Sequence, residues 1–328
     1  MLDIVLCTDE NYVMPTGILM HSILVTNCQE EITFHVVSAG ISEKGQQMLS
    51  SLIKDESKHI VFYTIDKQIL KDCPVREEDH ISLAAYYRIL FPSILPQNMK
   101  QVLYLDSDIL CVDSLMGLWN TDVSAYSAAV IIDIYNDDIR RYNRLQYTPL
   151  SGYFCSGVML INLAYWREHD VQNKTLSFIS KHPERCIAHD QDALNYILAG
   201  TLLFVHPRYN VQLDFFAPHS TLFVDRKHFP AIAEATHNPC LLHFTGSEKP
   251  WHYECKYPMP LQKLWFEAAK QTPWKNIKRT HHLSGKKLWK HRIKKLFAYF
   301  GFLYKPEVLT FEDEKVVASL HERLSATI

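Results

Sequence analysis

The rhythm of the chain up to Asp108 restricts the fold most: short β-rich apolar runs, most of them followed by a stretch of helical periodicity. Asp3–Thr8 is the first run, after which Pro15 opens a helical pattern through Ile18, Leu19, Ser22, Ile23 and Val25. Thr33–Val37 is the second, followed by a helical Ser42–Ile53 with Ser42 placed as its N-cap. Ile60–Ile65 is the third, and Leu83–Phe91 reads as a helix stopped by Pro92. Gln101–Leu105 is the fourth and runs directly into Asp106-Ser107-Asp108. Strands alternating with helices imply a parallel, doubly wound α/β sheet with helices on both faces. Such sheets bind ligands beyond the carboxyl ends of their strands, so the acidic residues after the first and fourth runs mark the expected site. The second half has β-rich runs at Ala128–Ile132, Val158–Ile161, Leu202–Val205 and Cys240–His243, and helical patterns at Asn173–Ser180, Gln191–Leu198 and Leu261–Ala269. Asp133–Gly152 and His206–Phe229 read as loops long enough to cover a ligand.

Charge divides the chain. The formal net charge is −2, yet Ala268–Pro306 carries 11 Lys or Arg residues and no Asp or Glu. The rest holds 23 basic against 36 acidic residues. An acidic body of residues 1–272 and a basic helical tail of 273–328 follow, separated at Thr272-Pro273-Trp274. In the tail, Trp289, Ile293, Leu296, Phe297, Phe300 and Tyr304 share one helical face, and Lys286, Lys287, Lys290, Arg292, Lys294 and Lys295 fill much of the remainder. Two readings follow: a helix lying on an anionic membrane surface, or one packing its apolar face on the body. Nucleic acid is disfavoured, because the acidic body repels phosphates. Eight cysteines without a C-x-x-C pair fit reduced thiols in the cytoplasm, and no apolar run reaches the roughly 20 residues of a membrane span. The expected location is cytoplasmic, with attachment to the inner face of the membrane as its peripheral variant.

Asp106 and Asp108, one residue apart at the end of a buried strand, can both reach one hard divalent cation. His243 ends another apolar run; an imidazole added to two carboxylates favours Mn²⁺ over Mg²⁺. In the same stretch, Gly246 lets backbone approach a phosphate closely and Lys249 supplies a point charge. A cation and a lysine aimed at one diphosphate describe stabilisation of a leaving group. The same groups fit a metal-dependent phosphoryl or nucleotidyl transferase, although no G-x-x-x-x-G-K-[ST] loop is present.

Seven ordered motifs between Met1 and Ala269 are similar to those of the retaining glycosyltransferases of family 8: IVLCTDENY, HVVSAGIS, HISLAAYYRI, QVLYLDSDILCVDSLMGLW, FCSGVMLINLAYWR, HDQDALN and HFTGSEKPWH. The chain resembles bacterial lipopolysaccharide galactosyl- and glucosyltransferases in particular. The resemblance implies a Rossmann-like, doubly wound mixed sheet of the GT-A type that moves galactose or glucose from a UDP-sugar to a saccharide or lipid-linked oligosaccharide acceptor. It implies that Asp9, Asn11 and Tyr12 hold the uridine, with Tyr12 stacked on the base. Arg88 is implied at the sugar-phosphate region, Ser107 among the residues that bind the donor, and Asp106, Asp108 and His243 around Mn²⁺. Gly246 and Lys249 are implied in the loop that closes on the phosphates. Asp133, Asp190 and Gln191 are implied beside the transferred sugar, with Gln191 on the face where a nucleophile stands, and His80 toward the acceptor. The chain departs from the family at Cys155, where Asn is frequent; a thiol cannot supply an amide's hydrogen bonds to a donor sugar.

Overall fold

A computed structural model describes residues 1–74, 83–216, 223–247, 249–255 and 259–299, together with Glu322. His80, Phe300 and Tyr304 lie outside the described residues, as do the side chains of Lys294 and Lys295.

Ten strands form two sheets: β1 (Leu2–Cys7), β2 (Ile32–Ser38), β3 (Lys58–Thr64), β4 (Gln101–Leu105), β5 (Ile109–Cys111), β6 (Ala128–Ile132), β7 (Phe154–Asn162), β8 (Leu202–Phe204), β9 (Val211–Gln212) and β10 (Leu241–His243). The large sheet has the order β3-β2-β1-β4-β7-β6-β8 and the small one β5-β10-β9. β1, β2, β3 and β4 are parallel, as the strand–helix alternation requires. β7 runs antiparallel to both β4 and β6, while β6 and β8 pair parallel, so six strands share one direction and β7 alone is reversed; the sheet is mixed, as the family resemblance implies. Alternate residues feed opposite faces: Leu2, Ile4 and Leu6 enter one core with Leu103 and Leu105, while Val5 and Cys7 enter the other with Val102 and Tyr104. A third apolar cluster joins the small sheet to the Met259–Lys270 helix through Leu242, Phe244, Trp251 and Trp265.

Ser42 caps the Glu43–Ser50 helix, its hydroxyl accepting from Gly45 N. Three expectations change. Leu83–Leu90 is a 3₁₀ helix, and Pro92 does not end it. It lies in the first turn of a further helix, Phe91–Ile94, where a missing N–H costs nothing. The Asp133–Gly152 stretch contains a helix, Ile139–Leu145, capped by the Asp138 carboxylate on Arg140 N and buried through Tyr142 and Leu145. Its three arginines obscure that short apolar face in the sequence. The described part of the His206–Phe229 stretch holds short 3₁₀ turns and β9.

Past Thr272 the chain continues along the body. Trp274 packs its ring against Gly17 in the Val13–Thr26 helix, and Ile277 joins the third apolar cluster. The Gly285–Tyr299 helix then leaves Trp289, Ile293, Leu296 and Phe297 exposed. Among the described residues no helix is long and apolar enough to cross a membrane.

Candidate functional site

Asp106-Ser107-Asp108 is the crossing from the large sheet to the small one. β4 ends at Leu105 and β5 begins at Ile109, so the two carboxylates stand at the seam between the sheets. Antiparallel pairing sets His243 of β10 opposite Ile109, and the next residue, Phe244, donates its N–H to Asp108 O at 3.0 Å. Backbone register thus carries an imidazole from far along the chain to the acidic pair. His243 Nε2 lies 3.3 Å from Asp108 Oδ1 and 3.7 Å from Asp106 Oδ2, and one ligand atom from each of the three falls within 4.8 Å of the others.

The third wall of this cluster is a bulge. Between Val130 and Ile131 the pairing of β6 with β7 jumps from Met159 to Cys155, which throws Ser156-Gly157-Val158 out of that ladder. Gly157 O accepts from Asp106 N at 2.8 Å. A Cβ on Gly157 would stand 2.3 Å from His243 Cε1 and 2.8 Å from Asp106 Oδ2, so only glycine leaves room for the ligand set. Two carboxylates, an imidazole and space kept clear by a glycine fit a divalent cation of the Mn²⁺ or Mg²⁺ type.

Neighbouring groups fix the protonation states. Lys249 Nζ sits on Asp108 Oδ2 and donates to Phe244 O at 2.8 Å. Burial alone would raise the Asp108 carboxyl, but Lys249 and His243 outweigh it and hold it well below the usual range. Burial would lower His243, yet Asp108 dominates and pushes it up to about 10. Asn210 Oδ1 lies 2.9 Å from His243 Nδ1 and Cys155 Sγ lies 3.9 Å from it, so the ring is oriented from behind and Nε2 faces the carboxylates.

Arg88 links this cluster to a second one. Its Nη2 is 3.1 Å from Asp106 Oδ1, its Nη1 donates to Ser156 O at 2.6 Å, and its Nε lies 3.0 Å from Asp190 Oδ2. The Nε hydrogen points instead to Ala85 O, leaving Asp190 Oδ2 with ion-pair contact but no aligned hydrogen bond. Burial pushes the Asp190 carboxyl up to about 7, with Arg88 opposing and Asp106 adding to the rise. Gln191 is held at both ends of its amide: Oε1 accepts from Ser156 N at 3.0 Å, while Nε2 donates to Asp133 Oδ2 and Tyr153 Oη, each at 3.2 Å. Burial raises the Asp133 carboxyl as well.

At the end of β1, Asp9 Oδ1 accepts from Asn11 N (2.9 Å) and Tyr12 N (3.2 Å), capping a 3₁₀ turn that presents Tyr12 edge-on to Trp251. Asn11 is exposed, and its contact with Asp9 is through its backbone. Gly246 has φ of +81°, the left-handed region that favours glycine. The Ser107 hydroxyl turns inward, donating to Cys7 O at 3.0 Å and meeting Thr16 Oγ1 at 2.9 Å; it ties β1, the Val13–Thr26 helix and the acidic pair together. That side chain faces away from the cleft, which leaves Ser107 a ligand role only through its backbone.

Sequence reasoning did not single out Tyr104, Gly157, Asn210, Tyr153 or the Asp192–Arg144 pair. Tyr104 Oη donates to Asp106 Oδ1, and its place two residues before the first aspartate is a signal that strand periodicity offers. Asp192 accepts from Tyr153 Oη at 2.7 Å and pairs with Arg144 at 2.7 Å, holding the ring that orients Gln191. Nothing in the sequence around Asn210 points to His243; only β9–β10 pairing brings them together.

The mixed sheet with this Asp-Asp-His cluster at its carboxyl edge has the fold of the GT-A class of glycosyltransferases. A galactosyltransferase, LgtC, solved with donor and acceptor sugar analogues, matches with a TM-score of 0.74 at 24% identity, covering 88% of this chain and all of that one. A second LgtC structure, an active-site mutant, matches equally at 26% identity. The chain belongs to glycosyl transferase family 8, whose profile matches residues 3–255. General stress protein A of Bacillus subtilis is 31% identical over 84% of this chain and 96% of its own. The lipopolysaccharide glucosyltransferase WaaO of Escherichia coli is 27% identical over 92% and 90%, and a lipopolysaccharide 1,3-galactosyltransferase of Salmonella typhimurium 28% over 81% and 77%. Membership of this family sets aside the phosphoryl- or nucleotidyl-transferase alternative.

Proposed function

We propose that this glycosyltransferase moves a hexose, galactose or glucose, from UDP to a saccharide acceptor with retained anomeric configuration, in lipopolysaccharide or other surface-glycan assembly. The observation that carries the reading is the convergence of Asp106, Asp108 and His243 within 4.8 Å beside Lys249. Asp106, Asp108 and His243 would hold Mn²⁺, which supplies a Lewis acid that offsets charge growing on the departing diphosphate. Lys249 brings a further positive charge from a loop next to that cluster. Tyr12 offers its ring to the uracil, with Trp251 roughly perpendicular to it and Asp9 fixing the turn. Arg88 braces Asp106 and Asp190 in one geometry, and Asp190, Gln191 and Asp133 line the place of the donor sugar.

Two features support front-face displacement, in which the leaving phosphate oxygen takes the acceptor proton. The Gln191 amide is neutral and held by hydrogen bonds at both ends, which makes it a poor nucleophile. Asp190 is buried against Arg88 with its carboxyl pushed up to about 7. A covalent glycosyl adduct trapped on Asp190 and found by mass spectrometry overturns that choice.

The exposed Trp289, Ile293, Leu296 and Phe297, interleaved with Lys286, Lys287, Lys290 and Arg292, support a tail that lies on the anionic cytoplasmic leaflet beside a lipid-linked acceptor. UDP release measured with each UDP-hexose, with and without Mn²⁺, tests the catalytic reading. Asp108→Asn is expected to abolish the Mn²⁺-supported turnover. Undiminished UDP release by that variant refutes the assignment.

A further inference from the structure

The stretch just before the Gly285–Tyr299 helix does more than connect it. Thr280 N donates to Trp251 O and Tyr253 N donates to Thr280 O, both at 2.9 Å, so 280 pairs with the loop that follows Lys249 as a short parallel bridge. The next two residues close on one carboxylate. Glu254 is 1% exposed; its Oε1 lies 2.5 Å from His281 Nδ1, and its Oε2 accepts from His282 N at 3.2 Å with His282 Nδ1 also at 3.2 Å. Rings meet beside the bridge, His252 stacked on His282 (4.9 Å, 23°) and Tyr253 tilted against His281 (4.6 Å, 33°). A glutamate this deeply buried is tolerated because three donors meet its two oxygens.

The other end of the same turn reaches the site. Lys249 N donates to His252 Nδ1 at 3.1 Å, and His252 N donates to Lys249 O at 2.9 Å. Burial pushes the His252 imidazole down to about 4, so the ring is neutral, and only the neutral ring can accept from Lys249 N. His252 is therefore clamped between the backbone of Lys249 on one side and the ring of His282 on the other.

We infer that Glu254, His281 and His282 form a clasp by which the C-terminal strap positions the Lys249 loop for the donor diphosphate. They are positioning residues: they touch neither the cation cluster nor Tyr12, and they act through His252 and the backbone of Lys249. The inference rests on the reading that Lys249 meets the diphosphate. A held loop arrives at its ligand with its ordering already done, so loosening the clasp weakens donor binding more than it slows the bound complex.

Full-length His281→Ala/His282→Ala protein tests this, with His281→Asn/His282→Asn as the conservative pair, since the Asn amide nitrogen can replace Nδ1 as a donor. Glu254→Gln is the third variant, and Lys249→Ala runs alongside. UDP affinity is read by calorimetry, donor KM and kcat by UDP release, and melting temperature by calorimetric scanning. For the double Ala variant, donor KM and the UDP dissociation constant are expected to rise about tenfold, with kcat at saturating donor within about twofold. The double Asn variant should recover most of the loss, and Glu254→Gln should lie between the two. If Lys249→Ala raises the UDP dissociation constant while the clasp variants leave it unchanged, the clasp is refuted and the diphosphate role of Lys249 stands. If Lys249→Ala leaves UDP binding unchanged, the underlying reading fails and the clasp with it. A fall in kcat with KM unchanged, or a double Asn variant as impaired as the double Ala, also overturns the assignment.

Discussion

Gly157→Ala is a sharp test of how the cation cluster is built, because it adds one methyl group and removes no ligand. The added Cβ would lie 2.3 Å from His243 Cε1, 3.0 Å from His243 Nδ1 and 2.8 Å from Asp106 Oδ2. Ordinary contacts begin near 3.4 Å, so the imidazole must retreat by about 1 Å. Little around it can yield. Asn210 holds the ring from behind at 2.9 Å, β10 is locked to β5 by register, and β7 is pinned to β4 on the other side. Overpacking a rigid site of this kind costs about 1–3 kcal/mol of stability. A displacement that alters the orientation of one ligand typically costs about tenfold to a hundredfold in metal affinity. Mn²⁺ titration of the purified protein by calorimetry reads the second quantity and a thermal scan without metal reads the first. A Gly157→Ala protein whose Mn²⁺ affinity stays within about twofold of the parent refutes the claim that the bulge shapes the site.

Two further outcomes are expected. The Asp190 carboxyl stands at about 7 in the folded protein against 3.8 for an ordinary aspartate, so the folded state binds more protons across that interval. Its contribution to stability is complete below about 3.8 and is lost as pH rises through about 7; the Asp190→Asn variant should show a flatter decline of melting temperature over this window, and an unchanged slope rejects the assignment. In the tail, Trp289→Ser combined with Phe297→Ser should reduce sedimentation with vesicles rich in anionic lipid while leaving turnover on a soluble acceptor unchanged; undiminished sedimentation rejects the membrane role.

Legibility followed the physical range of the interactions. β4 and β6 lie where the β-rich runs place them, because period-2 burial on both faces writes itself into consecutive residues. The Ser42 cap was legible for the same reason: its partner is three residues away. Asp106 and Asp108 could be read because they end a strand, and His243 because it ends another apolar run with Gly246 and Lys249 close behind it, whereas family motifs brought Asp190 and Gln191 to the same place. What stayed hidden depends on pairing between distant segments. The antiparallel direction of β7, the bulge at Ser156-Gly157 and the Asn210–His243 contact have no local signature. The Ile139–Leu145 helix was hidden differently, since Arg140, Arg141 and Arg144 dominate its composition while two residues bury it. Ser107 looked like part of a ligand-binding triplet, yet alternation along the chain turns its hydroxyl into the interior between two aspartates that face the cleft.

The charges at the seam explain why the Lys249 loop needs to be held. Asp108 offers one carboxylate to two cationic groups already present, Lys249 on Oδ2 and His243 on Oδ1. A divalent cation held by Asp106, Asp108 and His243 would compete with both, since all three positive groups draw on the charge of one carboxylate. Lys249 is the group able to yield: its side chain is long and mobile about four bonds, and its remaining anchor is a neutral carbonyl, Phe244 O. His243 is fixed by β10 and Asn210, so it would ligate the cation from where it stands, its Nε2 giving up its proton to solvent and its contact with Asp108. An ammonium released from Asp108 would stay useful only if its backbone remained at the seam, and among the described residues of that loop Gly246 has a left-handed backbone. Fixing the far side of the turn through His252 would limit the proposed move of Lys249 toward a phosphate to its side chain, with the loop backbone held.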